Sequence, residues 1–391
     1  MPTGTGAVNV KNLPAVPFEI DPALWQTLTQ KQIFNPTNVA SAPVANFVTA
    51  TLQQVGIVSR IRCYVQGAVV VTGGTSPSVH PTYRWPYGYH VNVQLSGNQM
   101  NNFIAASGYD LYNRQIAQYR AFVDSVTAPG IGSAGVSAAG TYPFSIMYEI
   151  PIAMDMTTAI GSLYAQTEAT NLTVTWTTDA LTNLFYTTGA PVVTITNTSG
   201  TANTNPVISL EECIFSVPYA PGKQGTMLIP DLSVLHGLIR NPNPTSQSNI
   251  VTTFLYRNNA NMERFFFYTD NAPSLGGAAN VVPVPVSDYA SNQLMYGASE
   301  TPYAYNPTAF GQFANNVDYR IANTTGLSIN TGPLGGLADG VFCMDFAAEN
   351  PARDQVILEG VTNLRLVTQY ASTFTPAAGS NVVTVQETLF A

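Results

Sequence analysis

The sequence predicts an all-β protein built from β-sandwiches, and three observations carry that prediction. Segments whose side chains alternate in character recur along the whole chain, as the two-residue period of a strand requires. Stretches such as TGGTSPS, TNTSGTANTNP, NPNPTSQSN and NTGPLGG punctuate them with turn formers. The length of 391 residues exceeds the roughly 250–300 at which a single hydrophobic core stops growing, so two domains are expected.

The elements follow in chain order. DPALWQTLTQKQIF, Asp21 to Phe34, predicts a helix: Asp21 caps it, Pro22 suits its first turn, Leu24 and Leu28 share a face beside Trp25, and Lys31 lies near its negative end. Strands are expected from Val55 (VGIVSRIRCYVQGAVVV) and His90 (HVNVQL). A second helix, NNFIAASGYDLYNRQIAQYRAFVD from Asn101, is broken near Gly108, and its later part spaces Leu111, Ile116, Tyr119 and Val123 helically. NLTVTWTTD sets Leu172, Val174 and Trp176 against Thr173, Thr175 and Thr177, and CIFSVPY from Cys213 closes the first half. YAPGKQG, Tyr219 to Gly225, marks the expected boundary. Beyond it come strands from Asn249 (NIVTTFLY), Glu263 (ERFFFYTD), Gln355 (QVILEG) and Asn363 (NLRLVTQY), a third helix SDYASNQLMYG from Ser287, and a final strand, VVTVQETLFA. Residue identities do not repeat between the halves but the plan does, so a duplicated architecture is expected.

One strand poses a question. YPFSIMYEIPIAMD, Tyr142 to Asp155, points Phe144, Ile146, Tyr148, Ile150, Ile152 and Met154 one way, into a core. Its other face offers Ser145, Met147, Glu149, Pro151, Ala153 and Asp155, too little charge for a face that meets water. Met147, Pro151 and Ala153 are therefore candidates for contact with another protein surface.

Composition narrows the function. Charged residues make up 9% of the chain, against roughly 25% in an average soluble domain, so the surface is polar but uncharged and suits large protein contacts. With a net charge of −8 and lysine only at positions 11, 31 and 223, no basic cluster exists for direct nucleic-acid binding. Cys63, Cys213 and Cys343 are far apart and odd in number, as reduced, buried thiols are. MPTGTGAVNV has neither the basic nor the apolar region of a leader, and no apolar run approaches the ~18 residues of a membrane span, so the expectation is a protein made and used without crossing a membrane.

No local motif supports an enzyme, a cofactor or a metal. GIGSAG, Gly130 to Gly135, has dinucleotide-loop spacing but neither the strand before it nor the helix after it. His80, His90 and His236 lack ligand spacing, Glu211 and Glu212 leave a strand on opposite faces, and GxSxG, Walker and HExxH motifs are absent. The sequons at Asn171, Asn197 and Asn323 matter only in a secretory pathway. One alternative stays open: Tyr83, Trp85, Tyr87 and Tyr89 in TYRWPYGYH form an aromatic sugar platform if the stretch is extended, although Pro86 and Gly88 favour a loop.

VGIVSRIRCYVQGAVV (55–70), YPFSIMYEIPIAMDMTTAIGSLYAQTEATNLTVTW (142–176), EECIFSVPY (211–219), KQGTMLIPDLSVLHGL (223–238) and GVFCMD (340–345), read in order, resemble the double jelly-roll major capsid proteins of tailless, membrane-containing bacteriophages of the tectivirus kind, the lineage that includes the adenovirus hexon. The resemblance implies two tandem eight-stranded jelly rolls with short helices in loops and at the N-terminus: an arm at 1–40, a first roll at 41–220 and a second at 221–391. It implies homotrimers with pseudo-hexagonal bases tiling an icosahedral shell around an internal membrane, with neighbouring trimers and penton or minor capsid proteins as partners, and assembly in the host cytoplasm. In this family the N-terminal helix lies near the membrane, which makes Leu24, Trp25 and Leu28 candidates for membrane-proximal or neighbour contacts; packing beneath their own roll is the alternative. The apolar C-terminal end, Thr388, Leu389 and Phe390, is expected to dock on its own or a neighbouring subunit. A minor capsid or receptor-binding spike is a second alternative function.

Overall fold

The computed structural model describes residues 32–34, 47–54, 56–97, 100–119, 128–132, 134–154, 160–165, 171–197, 206–215, 234–245, 248–255, 260–271, 283–297, 300–305, 337, 339–346, 356–358, 361 and 363–390. The first half contributes β1 (Gln32–Phe34), β2 (Phe47–Thr51), β3 (Ile57–Thr72), β4 (His90–Gly97), β5 (Met100–Ala106), β6 (Gly140–Pro151), β7 (Thr173–Thr178) and β8 (Val207–Phe215). The second contributes β9 (Leu235–Pro244), β10 (Ile250–Phe254), β11 (Asn261–Asp270), β12 (Tyr289–Tyr296), β13 (Glu300–Tyr305), β14 (Phe342–Asp345), β15 (Arg365–Tyr370) and β16 (Asn381–Phe390). The first set runs β1-β8-β3-β6 in one sheet and β2-β7-β4-β5 in the other; the second runs β9-β16-β11-β14 and β10-β15-β12-β13. Adding eight to each strand number of the first roll gives the second, so one jelly-roll plan is used twice.

The rolls are joined by more than a linker. β5 pairs in parallel with β9, Ile104 opposite Leu238 and Ala105 opposite Ile239, so one sheet of each roll fuses into a single nine-stranded sheet. Its second-roll part is covered on both faces. Phe265 and Phe267 of β11 pack with Phe342 and Leu366 in the second roll's own core, while Phe266 and Tyr268 face the other way, into the first roll's cluster with Tyr83 and Val385. This is why ERFFFYTD and VVTVQETLF lack alternation: strands buried on both faces read as continuous runs. YPFSIMYEIPIAMD keeps its alternation, and Phe144 to Met154 on its first face are all buried.

Three helices were expected, and the structure differs at each. Of the first, Gln32–Phe34 is strand, pairing with Ile208 to Leu210 of β8, because these β-prone residues complete an open sheet edge; Leu24, Trp25 and Leu28 lie outside the described residues. Of the second, Met100–Ala106 is β5, and the helix α1 spans Gly108–Tyr119. Ser107 and Asp110 close a capping box: each backbone N–H donates to the other's side chain, at 3.0 and 3.1 Å. Gly108 is required there, since a Cβ would stand 2.3 Å from the Tyr87 carbonyl oxygen. The third, SDYASNQLMYG, is strand β12, preceded by a single tight turn at Val286–Asp288. Its Gln, Leu and Met favour a helix locally, but ladders to β13 and β15 on either side override that propensity. The boundary expected at Tyr219 to Gly225 lies outside the described residues.

Candidate assembly surfaces

The face that joins the rolls is built on α1. Tyr109, Asp110, Asn113 and Arg114 share a helix face and are all buried, and Tyr109, Asp110 and Arg114 meet Tyr268, Arg240 and Glu387 of the second roll's strands. Arg114 donates to Glu387 Oε1 through Nε at 2.9 Å and Nη2 at 2.7 Å, and Nη2 also donates to the Met154 carbonyl at 2.7 Å. Arg264 Nη1 donates to Glu387 Oε2 at 2.9 Å and its Nε to Asp345 Oδ2 at 2.8 Å, while His236 Nε2 lies 2.9 Å from Glu387 Oε1. Burial alone would raise the Glu387 carboxyl, but Arg114 and Arg264, with the His236 hydrogen bond, hold it well below the usual carboxylate range. Glu263 beside it goes the other way: burial, reinforced by the Glu387 charge, pushes it up to about 9. Desolvation offsets much of the Coulombic gain in such a joint, yet losing one partner would leave a buried charge uncompensated.

A second polar group lies on the same seam. Asp110 lies 3.1 Å from Arg240 and accepts the Tyr268 hydroxyl at 2.9 Å; Tyr83 donates to Asp270 at 2.6 Å, and Arg84 pairs with Asp270 and with Asp179. Tyr83, Tyr109 and Tyr268 meet edge to face. This overturns the sugar-platform reading of TYRWPYGYH. Tyr83, Trp85, Tyr87 and Tyr89 are at most 5% exposed, Trp85 Nε1 donates to the Pro129 carbonyl at 2.7 Å, and Tyr87 stacks on Tyr112. Tyr83 reaches Tyr268 and Asp270 of the second roll, while Trp85, Tyr87 and Tyr89 pack inside the first.

The second face of YPFSIMYEIPIAMD is now accounted for in part. Ala153 is buried, its N–H donating to the Ser59 carbonyl at 2.7 Å, and the Pro151 carbonyl lies 3.2 Å from His236 Nδ1 of the second roll. Met147 remains half-buried, opposite Tyr64 of β3 on the outside of the first roll. Thr388 and Leu389 are buried and Phe390 half-buried in β16, which is held between β9 and β11 of its own chain.

One arrangement was not anticipated. In the second roll Arg264 stands directly opposite Glu387 on one side and Asp345 on the other. In the first roll Arg62 of β3 stands opposite Glu211 of β8, at 3.4 Å, and Glu149 of β6, at 3.0 Å. The strands correspond by the shift of eight, so an Arg-centred carboxylate triad is duplicated along with the fold. The second copy is sealed by Arg114 and α1; in the first, the Arg62 side chain is 32% exposed. A signal existed in the sequence, a charge interrupting each of the apolar strands RIRCYV, YEIP, EECIF, ERFFF, CMD and VQETL, but pairing them needed the register.

The residues weighed for chemistry are placed apart. Glu211 belongs to the triad, whereas Glu212 is buried on the opposite face and accepts the Gln53 N–H at 3.2 Å. His90 is buried, 2.6 Å from the Tyr148 hydroxyl, and burial lowers it to about 3; His80 bonds Ser78 and His236 lies in the seam. GIGSAG runs from the two-residue strand Ala128–Pro129 toward β6 and opens no helix. Among the described residues no group of three or more His, Cys, Asp and Glu is placed to hold a metal, and no helix is long and apolar enough to cross a membrane.

No family model and no curated protein matches the sequence. Solved structures do match in fold. The STIV MCP aligns over 93% of this chain and 95% of its own with a TM-score of 0.62 and 16% identity. The atomic structure of Sulfolobus Turreted Icosahedral Virus contains a chain matching at 0.61 and 14%, over 93% and 90%. VP54 of PBCV-1, fitted into a reconstruction of the virophage Sputnik, matches at 0.54 and 12%, over 93% and 94%. The fold of this chain is therefore the double jelly roll of viral major capsid proteins.

Proposed function

We propose that the chain is a viral major capsid protein acting as a homotrimer that tiles an icosahedral shell. The observation that carries this reading is the fusion of two jelly rolls by a shared sheet and a buried charged seam, a plan that the STIV MCP matches over 93% of this chain. A fused pair of like rolls suits a building block that presents a ring of similar faces, and a chain poor in charge suits extensive contact between copies. The mechanism is geometric: burial of uncharged β surface, with no bond made or broken. The same reading includes an internal membrane beneath the shell, which leaves a chain without a basic cluster free of any genome-binding task. Leu24, Trp25 and Leu28 are its candidates for the membrane side, and penton and minor capsid proteins its further partners, met during assembly in the host cytoplasm.

Native mass of the purified protein tests the proposal. Expected is a trimer of 41.7 kDa chains that resists dilution and forms pseudo-hexagonal particles by negative-stain microscopy. A monomer at all concentrations would overturn it.

A further inference from the structure

The joint between the rolls seals a cluster whose hydrogen count decides whether its charges match. Glu387 of β16 takes bonds from Arg114 of α1, Arg264 of β11 and His236 of β9, and Arg264 also reaches Asp345 of β14; none of these side chains is more than 7% exposed. Glu263, 0% exposed, lies among them, and Arg240 of β9 pairs with Asp110 of α1 elsewhere on the seam. Two groups here call for hydrogens. The first is His236, which meets the Pro151 carbonyl of the first roll through Nδ1 at 3.2 Å and Glu387 Oε1 through Nε2 at 2.9 Å. Both partners are acceptors, so the two bonds form together only when each ring nitrogen carries a hydrogen. The Gly161 backbone of the first roll closes against that side chain, where a Cβ would stand 2.7 Å from His236 Cβ. The second is Glu263, the extra residue of a bulge between Met262, opposite Thr388, and Arg264, opposite Glu387. Ionised, it sets a third carboxylate, with Glu387 and Asp345, against the guanidiniums of Arg114 and Arg264, and a sealed site makes an unmatched charge costly. A bulge of this kind does not require a carboxyl. In β3, the corresponding strand, Ser59 is the extra residue, and its hydroxyl donates to the Cys213 carbonyl at 3.1 Å.

We infer that the joint is a proton latch: hydrogens on His236 and Glu263 hold α1 against the second roll, and their loss at alkaline pH releases it while each roll keeps its own core. Local release is possible because little else ties the rolls. Among the described residues the backbone ladder between them spans two residue pairs, Leu238 with Ile104 and Ile239 with Ala105. The second roll's own core, around Phe265, Phe267 and Phe342, is a separate cluster that does not include the seam. Burial and the Glu387 charge raise Glu263 from 4.5 to about 9, so it keeps its proton at neutral pH and gives it up in alkali. The latch lies within one chain, so it operates whatever the chain assembles into.

Cys343 reports on it. This thiol is 0% exposed opposite Phe266 on the face covered by the first roll, whereas Cys63, equally buried, lies beside Ile61 and Val65 inside the first roll. The full-length protein is treated with iodoacetamide and labelling at each cysteine is read by peptide mass spectrometry. The ratio of Cys343 to Cys63 labelling cancels the rise in thiolate that alkali gives every exposed thiol, and in the wild type it should climb at least about tenfold between about pH 7 and about pH 10. In Glu263→Gln, which keeps two carboxylates against two guanidiniums, the ratio should stay flat. A flat wild-type ratio, whether both thiols stay closed or both open together as in global unfolding, overturns the latch. A ratio that climbs equally in Glu263→Gln overturns it too, and if that variant does not fold the wild-type ratio decides.

Discussion

Arg264 and Arg62 hold the same position in the two rolls, each between two carboxylates on neighbouring strands, yet 7% of one side chain and 32% of the other meets solvent. Under the first roll the effective dielectric is low, so the Arg264 pairs are strong but have displaced costly hydration; at the surface the Arg62 pairs are screened and contribute little. The difference teaches that this charge pattern is not in itself a stabilising device. Its weight depends on what covers it: under the first roll, the second roll's copy keys the joint inside the chain.

The comparison can be broken first by removing the keys. Arg264→Met leaves Glu387 and Asp345 buried with too little counter-charge and should cost about 3–5 kcal/mol, whereas Arg62→Met in dilute, monomeric protein should cost less than about 1 kcal/mol. Urea midpoints of the two variants measure this, and equal losses would end the argument. The adjoining apolar positions sharpen it: Phe266→Ala should cost about 3–5 kcal/mol and Tyr64→Ala less than about 1.5 kcal/mol by thermal unfolding.

Two titrating groups separate the rolls by pH. Where the strand register slips, β3 inserts Ser59 and β11 inserts Glu263. The Glu263 pKa is raised from 4.5 to about 9 by burial and Glu387, so its contribution is full below about 4.5 and is lost as pH rises toward 9. Glu263→Gln should therefore gain on the wild type through that window, by at most about 1.4 kcal/mol per pH unit, as read from denaturation at pH 5, 7 and 9. The smaller effect is at the other end. His90 opens β4 where Tyr289 opens β12. Burial lowers His90 from 6.5 to about 3, so its contribution is full above 6.5 and is lost as pH falls toward 3. His90→Phe should flatten the acid limb over that range; an unchanged limb would assign acid lability to other groups, Glu387 foremost.

Legibility in the sequence followed locality. β3, β4, β6, β7, β11, β15 and β16 announced themselves because alternation or a β-branched run is a property of one segment. SDYASNQLMYG did not, because its helical preference is local and the two ladders that outweigh it are not. The aromatics of TYRWPYGYH showed that a large apolar surface was present but not whether water or the rest of the chain covered it. The triads were the least legible: Arg62, Glu149 and Glu211 are neighbours only through the register of three strands.

By itself the sequence determined that strands with few charges would fold into more than one sandwich, since side-chain period, turn chemistry and chain length act segment by segment or through bulk composition. Only the tertiary structure decided which of those few charges would be sealed and which left at a surface. Burial depends on what packs above a strand, and here that is the helix and aromatic loop of the other roll, more than a hundred residues away in the chain for Arg114 and Glu387.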